Sequence, residues 1–293
     1  MILVADAARL PLPNDSVDLI FESPPYCDAR TYGIGAQRKC REWVDWMLGV
    51  VTEGQRVCRG PVIVVAAGVT RQRNYQPACE GLMWEWWKRG GTCQLYRPCV
   101  FHRVGIPGSG GRDWFRADWE YIMCFKRPGA LPWAENTAMG HIPKWAPGGE
   151  MSYRDSSGRR RNQWGHSAAS VSCAARRQDG SRDTNFRPSH RFHTVTRKDG
   201  RREAQPYSPP VKANPGNVIK CVVGGGRMGS KLAHENEAPF PESLAEFFIR
   251  SLCPPGGVVL DRFSGSGTTA AVAKRFGRQF IACDIRQSQA DLT

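Results

Sequence analysis

Two short stretches hold residue types whose spacing suits chemistry, and they lie near opposite ends of the 293-residue chain. Toward the C-terminus runs Asp261-Arg-Phe-Ser-Gly-Ser-Gly-Thr-Thr269. Gly265 and Gly267 carry no Cβ, so the backbone there can approach a ligand closely, and the helix expected after them turns its N-terminus toward that ligand. A second apolar run, Gln279-Phe-Ile-Ala-Cys283, ends on Asp284, whose carboxylate can accept two hydrogen bonds from a ribose diol. Three sites share this plan: a phosphate-binding loop, a dinucleotide site and an S-adenosylmethionine site. A phosphate loop needs a lysine after its last glycine, and Thr268 stands there. A dinucleotide fingerprint would place a third glycine where Ala270 stands, a replacement that the pattern allows. This motif alone therefore leaves the last two readings open.

Near the other end, Val17-Asp-Leu-Ile-Phe-Glu22 runs into Ser23-Pro24-Pro25-Tyr26. Consecutive prolines fix φ and remove two backbone donors, leaving a stiff turn whose carbonyl oxygens only accept. Ser23 adds a hydroxyl acceptor and Tyr26 an aromatic face. Acceptors beside a stacking ring make a pocket for the exocyclic amino group of a flat base. Taken by itself, the tetrapeptide is equally an ordinary proline turn after a strand.

The elements that must position these residues follow from hydrophobic periodicity. Gly257-Val-Val-Leu260, punctuated upstream by Pro254, Pro255 and Gly256, reads as a buried parallel strand, and Ala270 to Phe276 as a helix capped by Gly277. Strand, glycine turn, helix, strand and acid together make a βαβ unit. Upstream, a helix is expected from about Arg41 to Val57, with Trp43, Val44, Met47, Leu48 and Val51 on its buried face. Pro61 to Ala66 reads as a buried strand, Pro77 to Trp87 as a helix, and Leu95 to Val104 and Trp119 to Phe125 as further strands. Trp84, Trp86 and Trp87 are expected to pack their helix on the sheet rather than to stack on bases. The polar, glycine-bearing stretch from Asp28 to Lys39 suits a mobile loop over a substrate, and Gly105 to Arg112 reads as a plain loop because no strand–turn–helix frame surrounds it.

Together the two motifs resemble those of the amino-methylating DNA methyltransferases, in the group whose catalytic motif precedes the cofactor motif. Val4-Ala-Asp6 with Leu12-Pro-Asn-Asp-Ser-Val-Asp-Leu19 resembles that family's lead-in, Glu120-Tyr-Ile-Met-Cys-Phe-Lys126 its strand after the catalytic motif, and His234 through Ala238-Pro-Phe-Pro241 the segment before the cofactor strand. The resemblance implies a Rossmann-like α/β fold with a mostly parallel sheet, circularly permuted, with an inserted basic target-recognition segment. It implies S-adenosylmethionine as methyl donor, held by Asp6, Phe240, Asp261, Phe263, Ser264, Gly265, Ser266, Gly267, Thr268 and Asp284. It also implies Ser23, Pro24, Pro25 and Tyr26 as catalytic residues. Ser23 and the Pro24 carbonyl would accept hydrogen bonds from the amine, and Tyr26 would stack on a base flipped out of double-stranded DNA. In this family serine at the first motif position accompanies cytosine N4 methylation more often, so cytosine is expected and adenine N6 is the alternative. One departure is Asp261-Arg262-Phe263 where the family usually has Asp-Pro-Phe. Arg262 is expected to loosen the turn or to meet a phosphate, which motivates a catalytically inactive DNA-binding protein as the non-enzyme alternative. A methyltransferase for RNA or protein amines is the third.

Composition agrees with a polyanion partner. Lys plus Arg number 41 against 27 Asp plus Glu, a net charge of +14. Residues 129–217 lose all periodicity and hold 15 Lys plus Arg against 7 Asp plus Glu, so they carry most of that excess. Arg159, Arg160 and Arg161, then Arg176 and Arg177, then Arg201 and Arg202 cluster there as candidate DNA contacts. The expected organisation is a catalytic half at 1–128, a target-recognition insertion at 129–217 and a cofactor-binding half at 218–293. A homodimer and a companion restriction endonuclease are left open. The 11 cysteines lie scattered with no Cys-x-x-Cys pair, and Cys93, Cys99 and His102 fit no common zinc spacing, so no metal is expected. Met1-Ile-Leu-Val4 goes straight into a strand without a basic leader, and no run approaches 18 apolar residues, which together predict a cytoplasmic protein.

Overall fold

A computed structural model describes residues 1–28, 38–92, 98–105, 115–141, 212–223, 240–291 and 293, with the backbone alone at 192–196 and 202–206. The chain forms two compact units, Met1–Met139 with Gly216–Thr293, and Gly140–Pro215. The strands are β1 (Ile2–Val4), β2 (Leu19–Glu22), β3 (Val62–Ala66), β4 (Val69–Arg71), β5 (Asn74–Gln76), β6 (Cys99–Val104), β7 (Trp119–Phe125), β8 (Phe192–Thr196), β9 (Arg202–Pro206), β10 (Val218–Val222), β11 (Val258–Asp261) and β12 (Gln279–Asp284). The helices are α1 (Cys40–Val57), α2 (Ala78–Lys88), α3 (Glu242–Leu252), α4 (Thr268–Arg275) and α5 (Gln287–Ala290).

In the first unit, eight described strands form one sheet in the order β1-β12-β11-β2-β3-β7-β6-β10. Pairing is parallel from β1 through β3, β7 lies antiparallel between β3 and β6, and β10 returns parallel to β6. The mostly parallel α/β sheet is thus the expected one. Its last two strands, β11 and β12, sit between its first two, β1 and β2. From β2 the chain passes through α1 to β3 on one side, and from the neighbouring β11 through α4 to β12 on the other. Such a reversal opens a crevice at the carboxyl ends of the two strands, where open α/β sheets bind ligands.

Both faces are covered, which is why the central strands read as continuous apolar runs. Trp43, Met47, Leu48 and Val51 of α1 pack against Ile20, Val62, Val64 and Leu260 on one face. Leu244, Phe248 and Ile249 of α3 and Val272 of α4 pack against Leu19, Phe21, Ile63 and Val259 on the other. Fully buried Leu19, Ile20 and Phe21 contribute on the order of 5–9 kcal/mol in β2 alone, enough to let that strand end on the charged Glu22 at 0% exposure. Gly277 follows α4 at φ +68°, the left-handed cap that its sequence position predicts.

Three differences from the sequence reading have physical causes. Trp84 and Trp87 are 57% and 60% exposed and stack on each other at 5.1 Å, while Trp86 packs edge-on against Phe125. The buried stripe of α2 is Ala78, Cys79 and Leu82, and helical spacing carries residues 84 and 87 to its outer face. β10 has no counterpart in the reading, since as an edge strand it buries only Ile219 and Cys221. The strand expected over Leu95 to Val104 is described from Cys99, where pairing with β7 begins. Of the expected loops, 29–37 and 106–112 lie outside the described residues, as do Cys93 and the 234–238 segment. Among the described residues no helix is long and apolar enough to cross a membrane.

Candidate active site

The four strand tips nearest the crevice carry the described residues of the two motifs and Asp6, while Phe240 lies before α3. β1, β12, β11 and β2 are consecutive neighbours, and beyond their carboxyl ends stand, in that order, Asp6, Asp284, the Asp261–Thr268 turn and Ser23–Tyr26. All four strands run parallel, so their tips open on the same edge of the sheet.

At the tip of β2, the stiff turn is held from three sides. Ser23 Oγ lies 3.2 Å from the Val65 carbonyl and 3.5 Å from the Tyr26 hydroxyl. Tyr26 donates its hydroxyl to Glu120 Oε2 at 2.6 Å, and Arg103 pairs with Glu120 Oε1 at 2.9 Å. Burial first, then the charge of Glu120 and the hydrogen bond to it, push the Tyr26 phenol well above its ordinary value, so it stays a neutral donor. Trp43 Nε1 donates to the Pro25 carbonyl at 2.7 Å. Pro24 carries the remaining proline carbonyl, and among the described residues no donor occupies it. Of the two carbonyls that the sequence offers as acceptors, that of Pro25 is thus taken and that of Pro24 is not, among the described residues.

The cofactor-type turn is braced from within. Asp261 accepts from the Phe263 N–H at 2.9 Å through Oδ1 and from the Thr269 hydroxyl at 2.6 Å through Oδ2. Burial raises its pKa to about 7, with the charges of Glu22 and Asp284 adding to the rise and those two hydrogen bonds opposing it. Gly265 and Gly267 have φ of +51° and +82°, and Gly267 is the N-cap of α4. The Asp284 carboxylate turns back to the Gly265 N–H at 3.3 Å and accepts from the Arg286 N–H at 2.9 Å. Ser264 Oγ lies 3.3 Å from Thr293 Oγ1, while Ser266 Oγ is buried with no hydrogen-bond partner among the described residues. Phe263 stands edge-on to Trp46, 5.7 Å away. Phe240 packs edge-on to Phe21 at 5.4 Å on the α3 face. Asp6 is exposed and accepts from the Ala8 N–H at 2.9 Å, closing its own turn.

Arg262 departs most from expectation. It is 1% exposed, and its guanidinium is bound on every nitrogen, so it neither loosens the turn nor faces solvent where a phosphate could reach it. Nε donates to Glu22 Oε2 at 2.8 Å and Nη2 to Glu22 Oε1 at 2.6 Å, while Nη1 donates to the carbonyls of Ala7 and Val50. Glu22 and Glu120, the carboxylates that meet Arg262 and Tyr26, were not singled out from the sequence, whereas Arg262 was singled out but for other contacts. The available signal was a charged residue inside each otherwise apolar strand end.

Arg159, Arg160, Arg161, Arg176, Arg177 and Arg201 lie outside the described residues, and Arg202 opens β9 with only its backbone described. Among the described residues, no three His, Cys, Asp or Glu side chains gather as a metal site.

A family model described as DNA methylase, of the N6/N4 methyltransferases, matches residues 17–293. Among curated proteins, the Type II methyltransferase M1.MboII of Moraxella bovis is 53% identical over 55 residues, 19% of this chain and 20% of that protein. The Type II methyltransferase M.ScaI of Streptomyces caespitosus is 34% identical over 85 residues, 28% of each. The chain thus matches well under a third of the length of these relatives. Among solved structures, the PvuII DNA methyltransferase (cytosine-N4-specific) aligns with a TM-score of 0.64 at 16% identity, over 99% of this chain and 83% of that one. A Thermus thermophilus protein solved in complex with S-adenosyl-L-methionine aligns with a TM-score of 0.54 at 22% identity, over 99% of this chain and 90% of that one. At these identities the likeness is one of fold.

Proposed function

This chain belongs to the N6/N4 DNA methylase family, and from that premise we propose that it transfers a methyl group to the exocyclic N4 amine of cytosine in double-stranded DNA. The observation that carries the proposal is the adjacency of Ser23–Tyr26 and the Asp261–Thr268 turn on neighbouring parallel strands at the reversal of the sheet. One motif suits an amine and the other an adenosine-containing donor, and the fold sets them side by side.

The donor is S-adenosylmethionine, which supplies an electrophilic methyl on a sulfonium. The turn fits it: two glycines in left-handed conformation let the backbone come close, and the orphaned Ser266 hydroxyl offers a hydrogen bond that no described residue uses. Asp284 would accept from the ribose, Asp6 from the adenine edge, and Ser264, Gly265 and Thr268 would border the chain between them, with Phe263 and Phe240 as apolar walls.

At the acceptor end, the Pro24 carbonyl and Ser23 Oγ would accept hydrogen bonds from the amine N–H groups, which localises the nitrogen lone pair for attack on the methyl, and the methylated nitrogen would then release one proton. The base must leave the duplex to reach them, at a cost of a few kcal/mol in stacking and pairing. Tyr26, locked by Glu120, would present its ring to the base. Cytosine is proposed over adenine because serine, as at Ser23, accompanies N4 methylation more often at this motif position in the family; its short, neutral hydroxyl, able to accept or donate, is compatible with an amine beside an acceptor ring nitrogen, an edge that adenine shares. The arginine clusters of residues 129–217 would grip phosphates and read base edges as the target-recognition segment.

Nucleoside mass spectrometry of duplex DNA treated with the purified protein tests this. N4-methylcytosine is expected, and Ser23→Ala and Tyr26→Ala should abolish it. Methyladenine without methylcytosine would reassign the base and leave the enzyme class standing.

A further inference from the structure

We infer that Arg262, paired with Glu22, is a positioning residue that sets the distance and angle between the turn that holds the methyl donor and the motif that holds the acceptor amine. The inference rests on the reading of those two ends given above.

The sheet register produces the pair. β11 and β2 run parallel with Val259 beside Leu19 and Leu260 beside Ile20, so two residues on Arg262 falls opposite Glu22. Pleating sends both side chains to the α1 face, the same face as Leu260 and Ile20. Each stands at the edge of its own motif: Glu22 immediately precedes Ser23, and Arg262 lies between Asp261 and the Phe263 that leads into the glycine turn. The two-pronged ion pair therefore closes a short bridge between the two halves of the site, with both partners at 0% side-chain exposure.

The same guanidinium reaches further. Nη1 bonds the carbonyl of Ala7, next to Asp6, and the carbonyl of Val50 in α1. One planar fork thus ties three strand tips that carry site residues to the helix behind them. The seat is shaped for it: a Cβ built on Gly54 of α1 would stand only 3.0 Å from Nη2 and 3.1 Å from Nη1. A glycine within a helix is a poor helix former, and in the last turn of α1 its missing side chain is the space the guanidinium fills.

Two buried ions are an expensive way to hold a sheet together. Each is costly to desolvate, and well-packed apolar residues of similar volume often serve stability as well. What the apolar alternative lacks is direction. Two parallel N–H···O bonds fix both separation and angle, and angle is what a methyl transfer between two bound molecules requires.

The test uses the full chain carrying Glu22→Leu with Arg262→Met, which removes both charges and keeps the volume. Its melting temperature should stay within a few degrees of wild type, whereas either single substitution strips one ion of its partner and should lower it sharply. S-adenosylmethionine affinity by calorimetry should change little, and KM for DNA should hold. Single-turnover methyl transfer should fall about 10- to 100-fold, the order that a misplacement near 1 Å costs. Arg262→Lys keeps the charge without the fork and should show the same split, and it stands in if the double variant fails to fold. Gly54→Ala, whose added Cβ would press on the Arg262 guanidinium from α1, should slow transfer in the same direction. Wild-type transfer in a folded double variant would overturn the inference, as would a loss of cofactor affinity equal to the loss of rate. Absence of methyl transfer by the wild-type protein would instead strike the underlying functional reading.

Discussion

Asp261 and Arg262 are consecutive, yet the pleat sends them to opposite faces of the sheet, Asp261 to Thr269 of α4 and Arg262 to Val50 of α1. Arg262 finds a carboxylate there, while Asp261 finds only a hydroxyl and an N–H, with the charges of Glu22 and Asp284 near enough to oppose its own. Its pKa is accordingly raised from 3.8 to about 7, chiefly by burial. Because the folded value lies above the unfolded one, the stability that Asp261 contributes is complete below pH 3.8 and is lost as pH rises through about 7. Melting temperature should therefore fall more steeply between pH 5 and 7 in the wild-type protein than in Asp261→Asn, which has nothing to ionise at that position. Parallel curves would mean that Asp261 titrates like an exposed carboxyl.

At the scale of elements, the turn between β11 and α4 has to be both tight and open. Gly267, at φ +82°, starts α4 from the left-handed region, where a side chain costs about 1–2 kcal/mol and a β-branched one more. A Cβ there would also stand 2.9 Å from Thr293 Cγ2. Gly267→Val should destabilise the protein by roughly 2 kcal/mol and weaken S-adenosylmethionine binding beyond that loss, as titration calorimetry of the folded fraction would show. Unchanged affinity would remove this turn from the cofactor site. On the acceptor side the bracing is different in kind. The β4–β5 hairpin reaches back with Arg71, whose Nε lies 2.9 Å from Asp28 Oδ2, and so anchors the chain just after Tyr26.

For the whole molecule, the question is what the positive charge is for. Residues 129–217 carry 15 Lys plus Arg against 7 Asp plus Glu, with arginine runs at 159–161, 176–177 and 201–202. If those runs grip phosphates, replacing Arg159, Arg160 and Arg161 by Ala should flatten the plot of log affinity against log salt by up to about 0.9 for each phosphate no longer neutralised. Fluorescence anisotropy with duplex DNA over a salt series measures that slope. An unchanged slope would mark the segment as an inert linker.

The elements whose evidence is local were legible in the sequence. β3, β7, β11, β12, α1 and α4 fall within a few residues of their expected bounds, since strands buried on both faces and a one-sided helix leave their period in the chain itself. The two motifs were legible for the same reason, each being a contiguous run. What only the tertiary structure decided is which distant residues meet. Glu22 and Arg262 are 240 positions apart and Tyr26 and Glu120 are 94 apart. No local pattern reports such a meeting, and an arginine in a glycine-rich turn is by propensity an exposed residue. Its burial follows from strand order: only when β11 inserts beside β2 does Arg262 acquire a carboxylate opposite and a helix with a glycine-sized gap behind it.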